Sequence, residues 1–443
     1  MESGDDISVR VGIDVTEMDL PGDRWRWGVD SFYATYWRTV RLESFPIPPL
    51  THRPTEEAQP LEVSYTEQAY EGIRIADYLF PYHYRYGRIA LNSFVERSGD
   101  LKRFLSIVPS TNQYAFLDIE STGLTGSANS YAFLIGLARP IPEGIFIRQL
   151  FLTNPGRERA LLQATEEFCS PASVLITFNG RSFDVPLLRT RALITRTHLA
   201  LPVEHLDLLP PARQLWRPRL QSCALSNLER HILDVWRIDD IPSSLIPELY
   251  YRYLHSADLT NLQPVFAHNQ QDILAMVALT SVIAQSHTQP ATLHTHPRDA
   301  IAIGRILLRA GQVNAAEQSF HRALTGSLSV EERAAVFWQL AQCHLQRSDT
   351  SEALKLMHTA ARLGERPGFQ AAIWLAKFYE HQAGSLQLAL EMAQRARQLA
   401  TAPSHLASLQ RRLDRIQAKQ TNQYHPSRHI ASAARSPHRT SED

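Results

Sequence analysis

Two carboxylates separated by one residue, Asp118 and Glu120 in FLDIESTGL, open the most chemically pointed stretch of this chain. On a strand alternate side chains share a face, so these acids project together with Phe116 while Leu117 and Ile119 pack the opposite side. Side by side they repel. A divalent cation resolves that repulsion, and hard oxygen ligands favour Mg²⁺ or Mn²⁺ over zinc. A third acid, Asp184, ends TFNGRSFD, with Asn179 five residues before it. A fourth, Asp272, follows His268 by four residues in FAHNQQDILAMVAL, a spacing that on a helix puts both on one face while Ile273, Val277 and Ile283 pack inward. A DxE pair alone describes any exposed strand end. Four acids and a histidine in this order are a set that chance rarely supplies.

The elements that must hold these residues read as a mixed α/β sheet. The segment TNQYAFLDIE is a buried strand ending in its two carboxylates. The turn STGLTGSANS separates it from YAFLIGLA, and RPIPEG separates that from IFIRQLFLT, which together predict an antiparallel meander. A helix over Arg157–Cys169, a second buried strand in SVLITF and a helix over Asp184–Leu193 complete the grammar of strand, crossover helix and strand. A further helix is expected around Ser93–Ile107. Residues 1–90, with aromatics crowded from Trp25 to Trp37 and prolines from Pro46 to Pro60, read as an irregular N-terminal extension that packs on the α/β domain after it.

From about Asp299 the pattern changes. Ala300, Ile303, Gly304, Leu307, Ala316, Phe320 and Ala323 fall at the offsets of the tetratricopeptide consensus. Phe337, Leu340, Ala341, Ala353, Met357 and Ala360 repeat the register, and Ala389, Ala393 and Ala396 repeat its second helix. Intervals of 37 and 36 residues between Ala316, Ala353 and Ala389 exceed the usual period of about 34 by a longer turn. A last helix carrying Leu406, Leu409, Leu413 and Ile416 caps the stack. The division expected is an extension over 1–90, the α/β domain over 91–290, helical repeats over 296–420 and a polar, disordered tail over 421–443.

Composition narrows the function classes. Lys plus Arg and Asp plus Glu are 45 each, so no global positive field draws in nucleic acid and any such site is a local patch. Cys169, Cys223 and Cys343 form no CxxC pair, which argues against a disulfide framework or a structural zinc. There is no GxxxxGK[ST] loop for nucleotide phosphates. The acidic start MESGDDISVR is unlike a signal peptide, and the longest uncharged apolar stretch, Ile273–Ala284, is too short for a bilayer. The expectation is a cytoplasmic protein without membrane contact.

On the motifs FLDIESTGL, TFNGRSFDVPLLRTR, HLDLLPPARQLW and HNQQDIL, the chain resembles the DnaQ-like DEDD 3′-to-5′ exonuclease superfamily. Within it the chain is most similar to the YprB-like ribonuclease-H-like group, which joins this domain to C-terminal tetratricopeptide repeats. The resemblance spans about residues 60–400. It implies a mixed sheet of five strands flanked by helices, and it makes Asp118, Glu120, Asp184 and Asp272 the ligands of two metal ions. Two cations roughly 3.5 to 4 Å apart clamp the attacking water and the leaving 3′ oxygen of a phosphodiester. His268, as an imidazole neutral near neutral pH, then orients or deprotonates the water. One branch of the superfamily places His five residues before its last Asp and another places Tyr four before; this chain has His at the Tyr spacing.

Secondary residues carry two readings each. Ser121, Thr122, Gly123 and Leu124 follow the first acids and would touch the terminal nucleotide, although a tight strand exit wants the same glycine. Asn179 and Phe183 would contact substrate or support the Asp184 turn. His205 and Asp207 suit a supporting role better than a fifth ligand. Arg181, Arg189, Arg191, Arg196, Arg213, Arg217 and Arg219 would form a phosphate-binding rim or a solvated helix face.

The reading is a metal-dependent nuclease acting on a single-stranded 3′ end of DNA or RNA, with the helical repeats docking a protein partner. The alternative is a non-catalytic nucleic-acid-binding or scaffold protein that docks partners through its repeats.

Overall fold

The computed structural model describes residues 61–66, 72–107, 109–123, 130–238, 240–288 and 296–424. Its frame is a seven-stranded sheet in the order β1-β2-β7-β6-β5-β8-β9. β5 (Tyr114–Ser121), β6 (Ala132–Ile141) and β7 (Gly144–Leu152) form the expected antiparallel meander. β8 (Val174–Thr177) lies parallel to β5 and β9 (Glu204–Asp207) parallel to β8, so the sheet is mixed. The hairpin β3 (Arg85–Tyr86) and β4 (Ile89–Ala90) stands apart as a small second sheet.

Two expectations change here. The five strands implied by resemblance are seven, because the stretch taken as an irregular extension supplies β1 (Leu61–Thr66) and β2 (Ile73–Pro81). β2 pairs with β7 along its whole length, from Ile73 opposite Leu152 to Pro81 opposite Gly144. Its sequence, IRIADYLFP, lacks clean alternation because both of its faces are covered, Ile73, Ile75, Ala76 and Phe80 all being buried. A strand buried on both faces carries no period-two signal. Residues 1–60 lie outside the described residues, as does most of the expected tail; its first residues continue the last helix to Tyr424.

Helices cover both faces of the sheet. Helices Glu158–Cys169, Asp184–Thr195 and Ile246–Ser256 pack on one face through Leu161, Leu188 and Tyr250 against Leu117, Leu137 and Phe151. The other face receives the long helix Gln263–Thr288, where every residue from Ile273 to Ala284 is buried. That helix is apolar all round because it lies between the sheet and the helical region, in one core with Phe116, Ala300, Phe320 and Leu340. Its internal hydroxyls, Thr280 and Ser281, donate to the carbonyls one turn earlier, which makes their burial tolerable. No helix among the described residues is long and apolar enough to cross a membrane.

The helical region is a series of antiparallel hairpins: Pro297–Arg309 with Val313–Leu324, Val330–Gln346 with Thr350–Leu363, and Glu365–His381 with Leu386–Leu399, followed by Pro403–Tyr424. The small residues read from the sequence sit where helices meet. Ala316, Ala323, Ala341, Ala353, Ala360, Ala389, Ala393 and Ala396 are fully buried. Gly304 is required, since a Cβ there would lie 2.5 Å from the Phe320 ring. The region is joined to the sheet by an ion pair as well as by apolar packing: Arg219, at the end of helix Leu209–Leu220, grips Asp299 through bonds of 2.7 and 2.8 Å.

Candidate functional site

Asp118 and Glu120 leave β5 on the face turned toward helix Gln263–Thr288, as alternation requires. Asp118 stands opposite Gly136 on β6, and Gly136 stands opposite Gln149 on β7. The glycine leaves a gap that Asn269 fills; a Cβ at Gly136 would be 2.2 Å from the Asn269 Oδ1. Through that gap Asn269 Nδ2 donates to Asp118 Oδ2 at 2.9 Å, and Gln149 Nε2 holds Asn269 by donating to its Oδ1 at 2.9 Å. This buried relay fixes the first acid from behind.

Asp184 begins helix Asp184–Thr195, where strand β8 gives way through the loop 178–183. The loop is tightly wound. Asn179 adopts a left-handed backbone, φ 64°, and its N–H donates to Asp207 Oδ1 at 2.8 Å. The N–H groups of Arg181 and Leu209 donate to the same carboxylate at 3.1 and 3.0 Å. Asp207 therefore shapes the turn that delivers Asp184 and is spent in doing so. His205 bonds to Thr177 Oγ1 at 2.8 Å, and burial, with help from Arg181, pushes its imidazole down to about 4. Both are supports, as their residue types and position suggested.

His268 and Asp272 share a face of the long helix, with His268 Nε2 3.5 Å from Asp272 Oδ2 and 3.9 Å from Glu120 Oε1. The other ring nitrogen, Nδ1, lies 2.7 Å from Asp240 Oδ1. Arg237 comes from the same loop as Asp240 and is almost wholly enclosed, its side chain 6% exposed. Its guanidinium donates to Asp272 Oδ1 and, at 2.8 Å, to Glu229 Oε1, and its Nη1 lies 3.3 Å from the His268 Nδ1. Glu229 also accepts from the Tyr86 hydroxyl, which ties this cluster to the β3–β4 hairpin.

Charge divides the site. Burial pushes the Asp118 carboxyl up to about 7, with Asp272 adding to the effect against the relief from His268 and Asn269. Glu120 and Asp184 are pushed well above the usual carboxylate range by burial first and by the neighbouring acids second. Asp118 and Asp184 form no ion pair among the described residues, and Glu120 has only His268. On the other side burial opposes the charge of His268, but Asp272, the bond to Asp240 and Glu120 outweigh it and raise the imidazole to about 10. The sequence reading took His268 as neutral near neutral pH. Surrounded by three acids, it holds its proton instead.

The acids are mutually felt but not closely gathered: among the described residues no three His, Cys, Asp or Glu side chains stand ready to hold a metal ion. The donor set nevertheless fits one. Asp118, Glu120 and Asp184 offer hard oxygen atoms whose negative charge the protein leaves largely uncompensated, and Mg²⁺ or Mn²⁺ compensates such charge.

The secondary residues separate. Thr122 clasps Tyr131, donating its N–H to the Tyr131 carbonyl at 3.1 Å and accepting from the Tyr131 N–H at 3.2 Å, and Gly123 sits against Ser130. Leu124 lies outside the described residues. Phe183 is exposed at the rim beside Asp184. Of the seven arginines, Arg181, Arg191 and Arg219 are engaged by the His205 carbonyl, Glu158 and Asp299, while Arg189, Arg196, Arg213 and Arg217 are exposed. Sequence reasoning missed Arg237, Asp240, Asn269 and Gln149. Gly136 in the middle of an apolar strand was the one signal for a close approach there.

The match to a protein family agrees with the fold. Residues 115–284, which carry all four acids and His268, match the RNase_H superfamily. The uncharacterised protein YprB of Bacillus subtilis strain 168 is 28% identical over 290 residues, 64% of this chain and 69% of that protein. Among solved structures, the family B DNA polymerase from the hyperthermophilic archaeon Pyrobaculum calidifontis aligns with 54% of this chain and 30% of its own, at 14% identity and a TM-score of 0.35. The sheet and its flanking helices are an RNase H-like region followed by a helix-rich one.

Proposed function

We propose that this chain is a metal-dependent nuclease, a 3′-to-5′ exonuclease that hydrolyses phosphodiester bonds at a single-stranded end by a two-metal scheme. One observation carries the reading: in an RNase H-like sheet, Glu120 feels the charges of Asp118 from the same strand, Asp184 from a helix start and Asp272 from a late helix, with His268 beside Glu120 and Asp272. Mg²⁺ or Mn²⁺ held by these acids would supply a Lewis acid for the phosphate and a more acidic water.

The chain's own residues do the rest. Asn269 and Gln149 hold Asp118 in place. Asp240 takes the Nδ1 side of His268, leaving Nε2 as the nitrogen that faces the acids and can give a proton there. Arg237 pairs with both Asp272 and Glu229, so the helix side of the site has a counter-charge before any ligand arrives. Thr122, Gly123, Leu124, Asn179 and Phe183 are the residues we place near the terminal nucleotide. The helical hairpins, read as tetratricopeptide-like repeats, would dock a protein partner.

One observation favours the second reading, a nucleic-acid-binding scaffold without chemistry: Arg237 already occupies an oxygen of Asp272. Incubating the full chain with 5′-labelled single-stranded DNA and RNA, with Mn²⁺ or EDTA, separates the two. A metal-dependent one-nucleotide ladder that Asp118→Asn abolishes is the expected result. Retention of the strand without cleavage overturns the nuclease.

A further inference from the structure

The loop that delivers Arg237 and Asp240 to the site also carries a large aromatic that the core does not use. Trp236 is 55% exposed, and its neighbour Ile238 is 68% exposed. The chain alternates here: Val235 is buried, Trp236 faces out, Arg237 reaches Asp272 and Ile238 faces out again. Trp236 is thus one residue from a guanidinium that touches the reaction centre. Its ring is not idle. The guanidinium of Arg230 lies 4.5 Å from the ring centroid, a cation–π distance, so one face of the indole is covered by a positive charge and the remaining exposure belongs to its other face and edges.

We propose that Trp236, backed by Arg230, is a stacking platform for an unpaired nucleobase of the strand that enters the acidic site; this rests on the nuclease reading above. The chemistry suits that ligand. Every base has a π-face, so an indole holds it whatever the sequence. A paired base inside a duplex has its faces taken, so the platform selects single strands. Arg230 adds a positive charge that draws the phosphate backbone toward a site whose own acids repel it. The backbone of the loop is pinned, since the Val235 N–H donates to the Glu229 carbonyl at 2.9 Å and Arg237 holds three acids. The indole is therefore presented in place before the strand arrives.

The test uses the full chain carrying Asp118→Asn, so that the strand is bound without being cut, with Mg²⁺ present. Fluorescein-labelled oligothymidylate, oligouridylate and a blunt duplex are titrated by anisotropy. Adding Trp236→Ala is expected to weaken both single strands roughly ten-fold or more, from the usual worth of a base–aromatic stack. Trp236→Phe should recover most of that loss, and the duplex should be indifferent to either change. Thermal melts of each variant identify any that fail to fold, in which case Trp236→Phe and Arg230→Ala carry the test. If the parent binds single strands and Trp236→Ala binds them equally well, the platform is wrong and the nuclease reading stands. If the parent binds none of the three, both fall together.

Discussion

Glu120 in the sheet and Glu380 in the helical region are the same residue, each nearly removed from water, and they behave oppositely. Glu380 has a wholly buried side chain that accepts from Arg412 at 2.6 Å, Arg415 at 2.8 Å and Lys419 at 2.9 Å. The bonds to Arg415 and Lys419 outweigh burial and hold its carboxyl down at about 2. Glu120 has His268 at 3.9 Å, whose imidazole is raised to about 10, and three other acids within reach, and burial first pushes its carboxyl well above the ordinary range. A carboxylate buried for stability is surrounded by cations from the chain itself. Glu120 is instead left in charge deficit, the condition that the proposed metal site requires. The helical region is electrostatically finished, and the strand side of the site is not.

The largest expected effect tests the unfinished side. Asp118→Asn keeps the shape and the bond from Asn269 but removes a charge, and turnover should fall about a thousand-fold or more, because metal clamping supplies several kcal/mol. Full activity at saturating Mg²⁺ would break the comparison. The counterpart in the finished region is Glu380→Gln, which strands three cations. It should cost roughly 1 to 2 kcal/mol of unfolding free energy in urea melts, since Arg415 and Lys419 keep access to water, while leaving cleavage per folded molecule unchanged.

Next in size is Asp240→Asn. It leaves the acids untouched and loosens the His268 ring, so a ten- to hundred-fold loss in kcat with little change in KM is expected, in the range for groups that orient a reactive histidine. An unchanged kcat would show that Asp240 positions nothing.

The smallest effects are in pH-dependent stability, and they run in opposite directions. The carboxyl of Glu380 is lower in the fold than in the unfolded chain, so its contribution is present above about 4.5 and is lost as pH falls toward 2. That of Asp118 is higher in the fold, so without metal the protein loses stability as pH rises from about 4 to about 7. Differential scanning calorimetry in EDTA should therefore show Asp118→Asn melting above the parent at pH 8 and level with it near pH 4. Mn²⁺ should raise the parent's Tm at pH 8 and narrow that gap. A gap that persists unchanged with Mn²⁺ would mean that the acids do not take the ion.

Much of the site was legible because its logic is local. Alternation alone put Asp118 and Glu120 on one face, and a four-residue interval put His268 within 3.5 Å of Asp272. Repeated alanines marked the places where helices approach most closely, and the structure buries them there. The strand β2 was missed because burial on both faces erases the alternation that reveals a strand. His268 was assigned a neutral ring because its charge depends, besides Asp272 one turn away, on Asp240 and Glu120, 28 and 148 residues away in the chain.

Composition and spacing determined by themselves which residues are chemically capable: hard oxygen donors in order, a histidine one turn before the last of them, and small residues at helical crossings. Those properties belong to side-chain type and to the periods of strand and helix, which are local. Tertiary structure alone decided how the charge is shared. It brought Arg237 to Asp272, Asp240 to His268 and Asn269 through the gap at Gly136, leaving Asp118 and Asp184 without an ion pair among the described residues. Which buried acid is paired and which is left waiting depends on distances across the fold, because the energy of a charge is set by everything around it.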